Sequence, residues 1–164
     1  MKWRITVSKL RAGLLFRGNA EEAMNFYRGV FKDFEELSVA RMPPNGPAPE
    51  GTVIACEFRI RGMDFVAINA DYDHKFNEAN SYIIDCADQA EVDYYWDALL
   101  ADGGKESMCG WLWDKFGITW QVTPTRLPEL ISDPDPGRAG RAMQAMMTMR
   151  KIDIAAIEAA ANAG

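Results

Sequence analysis

Few residues in this chain are equipped for chemistry. It has a single histidine, His74, and three cysteines, Cys56, Cys86 and Cys109. Nucleophilic schemes of the Ser-His-Asp or Cys-His kind need an imidazole beside the nucleophile, and no such arrangement is evident around His74. The cysteines are odd in number and lack CxxC spacing, which argues against a disulfide framework or a zinc knuckle. They read as reduced thiols of a cytoplasmic protein, and Cys109, between Met108 and Gly110, reads as buried and inert. What remains is polar and aromatic. Asn69 and Gln121 are neutral amides that either orient a ligand or sit satisfied in a sheet wall. Trp111, Trp113 and Trp120 bring aromatic area into one region, and alternation along a strand sends only some of them toward a ligand. His74 and Glu78 fall in the polar stretch 70–80, where each is a surface residue or a contact at the mouth of a cleft.

Bulk properties narrow the partners. The chain has 164 residues, 48% of them hydrophobic, enough for one domain or two small fused modules with a packed core. Net charge is −6 and the pI is near 4.8. An acidic balance without clustered Lys and Arg argues against nucleic acid and anionic membrane surfaces as partners. Basic stretches such as Arg59-Ile60-Arg61 and Arg138 to Arg141 are interleaved with apolar or small residues and read as solvated faces. No run approaches the about 20 apolar residues that span a bilayer. Residues 1–6 lack the apolar core of a signal peptide.

These candidates hang on elements the chain spells out. Residues 10–16 are an apolar strand that ends at Arg17-Gly18-Asn19. Asn19 is placed to cap a helix over 20–31, with Glu22 in the capping-box position and Ala23, Phe26, Tyr27 and Val30 on one face. Residues 35–41 precede Pro- and Gly-rich 42–49, a loop by composition. Residues 52–60 alternate, Gly62 marks a tight turn, and 64–70 return as the second strand of a hairpin.

The order then repeats. Residues 81–85 are a strand, Asp88 is an N-cap with Glu91 at the third helical position, and the helix stops near Leu100 before Asp102-Gly103-Gly104. A hairpin region follows over 110–122. At the offset that carries Asn19 onto Asp88, Glu22 falls on Glu91, Ala23 on Val92, Phe26 on Tyr95, Tyr27 on Trp96 and Leu14 on Ile83. The fold class expected is α+β: two βαβββ modules, 10–70 and 81–125, within one domain spanning 1–164. A helical extension follows over 133–164. There Leu127-Pro128-Glu129-Leu130-Ile131 leads into a capping loop, 132–136. Two helical segments come next, one bearing Ala142, Met143, Met146, Met147 and Met149, the other Ile152, Ile154 and Ile157. The methionine stripe reads as core or dimer packing.

Several segments carry a family likeness: Gly18-Asn19-Ala20-Glu21-Glu22-Ala23, Phe65-Val66-Ala67-Ile68-Asn69, Phe76-Asn77-Glu78-Ala79, Asp88-Gln89-Ala90-Glu91, Cys109-Gly110-Trp111, Asp114-Lys115-Phe116-Gly117, Trp120-Gln121-Val122-Thr123-Pro124 and Asp133-Pro134-Asp135-Pro136. Together they resemble the PhnB-like family, labelled a 3-demethylubiquinone-9 3-methyltransferase domain, within the glyoxalase, bleomycin-resistance and extradiol-dioxygenase (vicinal-oxygen-chelate) superfamily. The chain departs from the pattern at its start, where 1–9 looks extended and Arg11-Ala12-Gly13 opens the first strand. The resemblance implies two modules curled into half-barrels with a cavity between them, and a homodimer.

It also implies where a divalent metal would be held in metal-using relatives: by the first and last strands of each module. Those positions fall on Ala12 and Ser81, on Gln121, and on Val66 or, if the register slips, Asn69. Without imidazole or carboxylate donors a divalent ion is disfavoured, and no cofactor is expected. The methyltransferase label calls for a methyl donor, which is usually cradled by a glycine-rich strand-to-helix turn, and none is present. The expectation is a metal-free protein that binds a small molecule near Asn69, Gln121, Trp111, Trp120, His74 and Glu78. The competing readings are a metal-dependent lyase, isomerase or dioxygenase using His74, Asn69 and Gln121, and a methyltransferase.

Overall fold

The computed structural model describes residues 10–72 and 74–164; the extended reading of 1–9 lies outside them. The chain divides into two compact units, Met1–His74 and Lys75–Gly164. In the first, β1 (Ala12–Phe16) leads to α1 (Ala20–Val30), then β2 (Glu35–Arg41), β3 (Val53–Ile60) and β4 (Met63–Asn69). The sheet order is β1-β4-β3-β2, with β1 parallel to β4 and the other pairs antiparallel. The second unit has β5 (Tyr82–Cys86), α2 (Gln89–Leu100), β6 (Lys105–Glu106), β7 (Trp111–Trp113) and β8 (Thr119–Pro124). Its sheet order is β5-β8-β7-β6, again with the first and last strands parallel. Both modules are therefore βαβββ units of α+β class. In the second unit α3 (Arg126–Ile131), α4 (Pro136–Met147) and α5 (Ile154–Asn162) follow.

Each sheet buries one face under its helix. In the first unit Ala23, Met24, Tyr27 and Val30 of α1 are buried, as are Leu14, Phe58, Phe65 and Ala67 of the sheet. The Phe58 and Phe65 rings stack at 5.4 Å, and Tyr27 lies 5.9 Å from Phe58. In the second unit Val92, Trp96 and Leu99 are buried with Ile84, Leu112, Trp120 and Val122. Burying such a side chain contributes about 1.5–3 kcal/mol, so these two aromatic-rich layers dominate the stability of their units.

The two modules enter their helices differently. Asp88 caps α2 as expected: its carboxylate accepts from Glu91 N at 2.9 Å, and Glu91 Oε2 accepts from Ala87 N at 2.8 Å. Asn19 occupies the cap position of α1 but makes no side-chain cap hydrogen bond. Its place is taken by Asn69, at the end of β4 beside Phe16, whose Oδ1 accepts from Ala20 N at 3.0 Å. The first module also spends three residues, Arg17-Gly18-Asn19, between strand and helix, where the second spends two, Ala87-Asp88. The strands are thus offset by one residue from the helices. Leu14, buried, corresponds to Ile84, also buried, and not to Ile83, which is 60% exposed. The expected match of Leu14 with Ile83 is corrected accordingly.

Turns hold the hairpins. Arg61 (φ 50°) and Gly62 (φ 78°) form the two-residue link from Ile60 to its partner Met63, the left-handed pair a type I′ turn requires. Between β7 and β8 a buried carboxylate does the work. Asp114, 3% exposed, accepts from Phe116 N (2.9 Å) and Ile118 N (3.1 Å) through Oδ1, and from Trp120 Nε1 (2.9 Å) through Oδ2. Gly117 N donates to Asp114 O at 2.9 Å, closing the loop.

The tail packs on the second unit. Leu127, Leu130, Ala142, Ile152, Ile157 and Ala161 form its core, with Met146 and Met149 against it, while Met147 is 61% exposed. Residues 126–131, expected as a lead into a loop, are the helix α3, because Leu127 and Leu130 one turn apart both enter this core. Gln89 pins the tail through its amide: Nε2 donates to Ile152 O (3.0 Å) and Oε1 accepts from Ile154 N (2.9 Å). Lys151 Nζ meets Asp93 Oδ1 at 3.0 Å. The Gln89 amide first, then Lys151, hold the Asp93 carboxyl below its ordinary range.

Replacing Asp114 by Asn turns one acceptor into a donor aimed at the Trp120 N–H. Asp114→Asn is expected to cost about 2–4 kcal/mol, read as a lowered urea midpoint, with part recovered in the double variant carrying Trp120→Phe. Gln89→Ala is expected to cost about 1–2 kcal/mol and to speed amide exchange selectively over residues 149–154.

Candidate ligand-binding face of the second sheet

Side chains along a strand alternate between faces. On β8, Trp120 and Val122 lie under α2, and Thr119, Gln121 and Thr123 face the other way. Cross-strand register carries that face across the sheet: Gln121 pairs with Ile83 and with Trp111, and Thr119 with Trp113. Gln121 Nε2 donates to Ser81 Oγ at 2.8 Å. Ser81, Gln121, Trp111, Trp113 and Thr119 therefore form one patch of hydroxyls, an amide and two half-buried indoles. Of the expected contacts, Gln121 and Trp111 come together here. Trp120 does not join them: it is 3% exposed on the helix side, bonded to Asp114 and with its ring 5.4 Å from that of Tyr82. Burial raises the Tyr82 phenol above its ordinary pKa.

Thr119 was not singled out from the sequence, although its spacing from Gln121 places it on the same face. It is 2% exposed, and among the described residues its Oγ1 is the one buried side-chain oxygen or nitrogen without a hydrogen-bond partner.

The corresponding face of the first sheet is ionic. Arg11 meets Glu57 at 3.2 Å, and Arg59 bridges Asp64 (2.5 Å) and Glu35 (3.0 Å). Asn69 lines a cavity of about 400 Å³ at the end of that sheet, together with Arg17, Met42, Val53 and Ile54. Both ends of its amide are engaged, Oδ1 by Ala20 N and Nδ2 by Val53 O (3.1 Å), so Asn69 serves the backbone. His74 is exposed in the first unit, its ring 5.6 Å from that of Tyr72, and Glu78 is exposed in the second. Cys56 and Cys86 are buried and Cys109 is partly so; burial raises the Cys56 thiol above its ordinary pKa.

The positions that hold a divalent ion in metal-using relatives do not fit one here. In the second unit they are Ser81 and Gln121, neutral and bonded to each other. In the first, the one-residue offset turns Ala12 toward the helix with Leu14 and Phe16, and Arg11 takes the place equivalent to Ser81. The last-strand position is Val66, paired with Gly13. Neither pair, a guanidinium with an alkyl group in the first unit or a hydroxyl with an amide in the second, supplies the carboxylate or imidazole donors such an ion calls for. Among the described residues no three His, Cys, Asp or Glu side chains gather as a metal-binding group. Nor, among the described residues, does a glycine-rich turn join strand to helix: the links are Arg17-Gly18-Asn19, Ala87-Asp88 and Thr125. No helix among the described residues is long and apolar enough to cross a membrane.

Comparison with known proteins agrees with this architecture. The family described as 3-demethylubiquinone-9 3-methyltransferase matches residues 8–123. The PhnB protein of Bacillus cereus is 36% identical over 71% of this chain and 99% of its own, with a TM-score of 0.64. A Pseudomonas aeruginosa protein is 22% identical over 70% of this chain and 96% of its own, with a TM-score of 0.55. A fosfomycin resistance protein of Listeria monocytogenes is 14% identical over 68% of this chain and 84% of its own, with a TM-score of 0.48. No curated protein matches the chain. With that family matched along most of its length and a PhnB protein 36% identical to it, this chain of two βαβββ modules belongs to the PhnB-like, 3-demethylubiquinone-9 3-methyltransferase family.

Proposed function

We propose that this chain binds a small molecule on the face of its second sheet opposite α2 and does so without a metal. The observation that carries this reading is the Ser81–Gln121 pair at 2.8 Å, set beside Trp111 in direct cross-strand register. A hydrogen-bonded amide and hydroxyl next to an indole are what an orienting polar contact and an aromatic wall require. Trp120 and Asp114 support the face from behind, keeping β7 and β8 in register. The same reading takes the protein as a cytoplasmic homodimer, in keeping with its thiols and its family. Neither His74 nor Glu78 has a place in it.

The test is a fragment library screened by native mass spectrometry and tryptophan fluorescence. A hit is expected whose binding weakens about tenfold in Trp111→Ala and about threefold in Gln121→Ala, the losses of an aromatic contact and of one neutral hydrogen bond. A screen that finds no ligand of any chemical class overturns the proposal. Excess Mn, Ni or Zn is expected to leave the melting temperature unchanged. Stoichiometric metal found by elemental analysis after supplementation would remove the metal-free part of the reading.

A further inference from the structure

The chemistry of the proposed face narrows what it takes, an inference that rests on the preceding reading and deepens it. At its centre stand Ser81, Thr119 and Gln121 with Trp111 and Trp113, none of them ionisable near neutrality. The charged residues in register on this face, Lys105 opposite Trp113 and Asp85 opposite Thr123, are exposed, opposite in sign and at separate corners. The equivalent face of the first sheet has Arg11–Glu57 and Arg59–Asp64 ion pairs instead. A charged ligand laid over the second face would lose hydration with no opposite charge to replace it.

The second observation is the hydroxyl of Thr119, buried and without a partner. Native proteins leave few such groups unpaired, and one that persists in a candidate site marks a bond awaiting a partner. Trp113 is directly across from it in register and only half-buried. Two indoles on one face favour a flat ring in offset or edge-on contact.

We infer that the ligand is an uncharged, flat aromatic compound with a carbonyl or hydroxyl on its edge. That group bonds to the Thr119 hydroxyl while the ring lies against Trp111 and Trp113. Thr119 is then a specificity-determining contact, and its cost to the free protein is the counterpart of its use in binding.

Three probes of one shape separate the possibilities: benzamide, toluene and benzoate, followed by the indole N–H and Thr119 methyl signals in the full chain. Benzamide is expected to shift Trp111, Trp113 and Thr119, and to bind at least about tenfold tighter than benzoate. Thr119→Val, of the same shape, is expected to weaken benzamide about 5- to 10-fold, leave toluene unchanged and raise the melting temperature by about 2–4 °C. Shifts at Trp111 with benzamide unaffected by Thr119→Val would overturn the role of Thr119 while leaving the binding face standing. Tighter binding of benzoate would overturn the uncharged class. A lowered melting temperature in Thr119→Val would show the hydroxyl partnered in the free protein and overturn the argument from its burial. Absence of any shift at Trp111 with all three probes, together with an empty fragment screen, would overturn the binding face itself.

Discussion

A sheet covered by a helix on one side must give every second residue of its strands to that helix, and everything else in these two units is arranged around that parity. In the second unit the rule assigns Ile84, Cys86, Leu112, Trp120 and Val122 to the core and delivers Ser81, Trp111, Trp113, Thr119 and Gln121 to the opposite face as a set. A register slip by one residue would exchange the two sets and bury the polar one. The turn at Asp114 guards against that slip. Its carboxylate ties two backbone amides of the loop and the indole of Trp120 to one point, so the hairpin and the core share an anchor.

The other polar groups of the interior are spent on the chain's own geometry. Asn69 closes the open N-terminus of α1 and holds β3 through Val53. Gln89 gives both ends of its amide to the backbone of the tail, where Ile152 and Ile154 flank the start of α5. These residues resemble ligand contacts by type, yet each has a full set of partners. Thr119 differs in having no hydrogen-bond partner for its buried hydroxyl.

The duplication is unequal in a way that matters for function. The modules share strand order, helix placement and buried aromatic layers. They differ by one residue in the strand-to-helix turn, and the sheet faces opposite their helices differ in charge. One is crossed by ion pairs, Arg11–Glu57, Arg59–Glu35 and Arg59–Asp64; the other has an aromatic, amide and hydroxyl centre. Of the two faces, only the second has an uncharged centre, with Asp85 and Lys105 at its corners.

Much of this was legible in the residues. The period-two and helical patterns, the cap at Asp88, the Gly62 turn and the repeat of strand, cap and helix define the βαβββ modules locally, because propensity, capping and alternation are properties of neighbouring residues. The neutrality of the candidate site was likewise readable from Ser81, Gln121 and the single histidine. Other features depend on residues distant in sequence. Asn69 replaces Asn19 at the cap of α1 because strand pairing brings residue 69 beside residue 16. Arg11 stands where Ala12 was expected because an extra turn residue shifts one strand against its helix. Trp120 goes to the core because Asp114 holds its indole there, and only in the folded sheet is Thr119 buried without a partner. The sequence by itself determined the elements and their chemistry, since these follow from short-range physics. Which side chains meet, and which one is left unpaired, was decided by the tertiary structure, since register and burial are set by contacts the chain makes across itself.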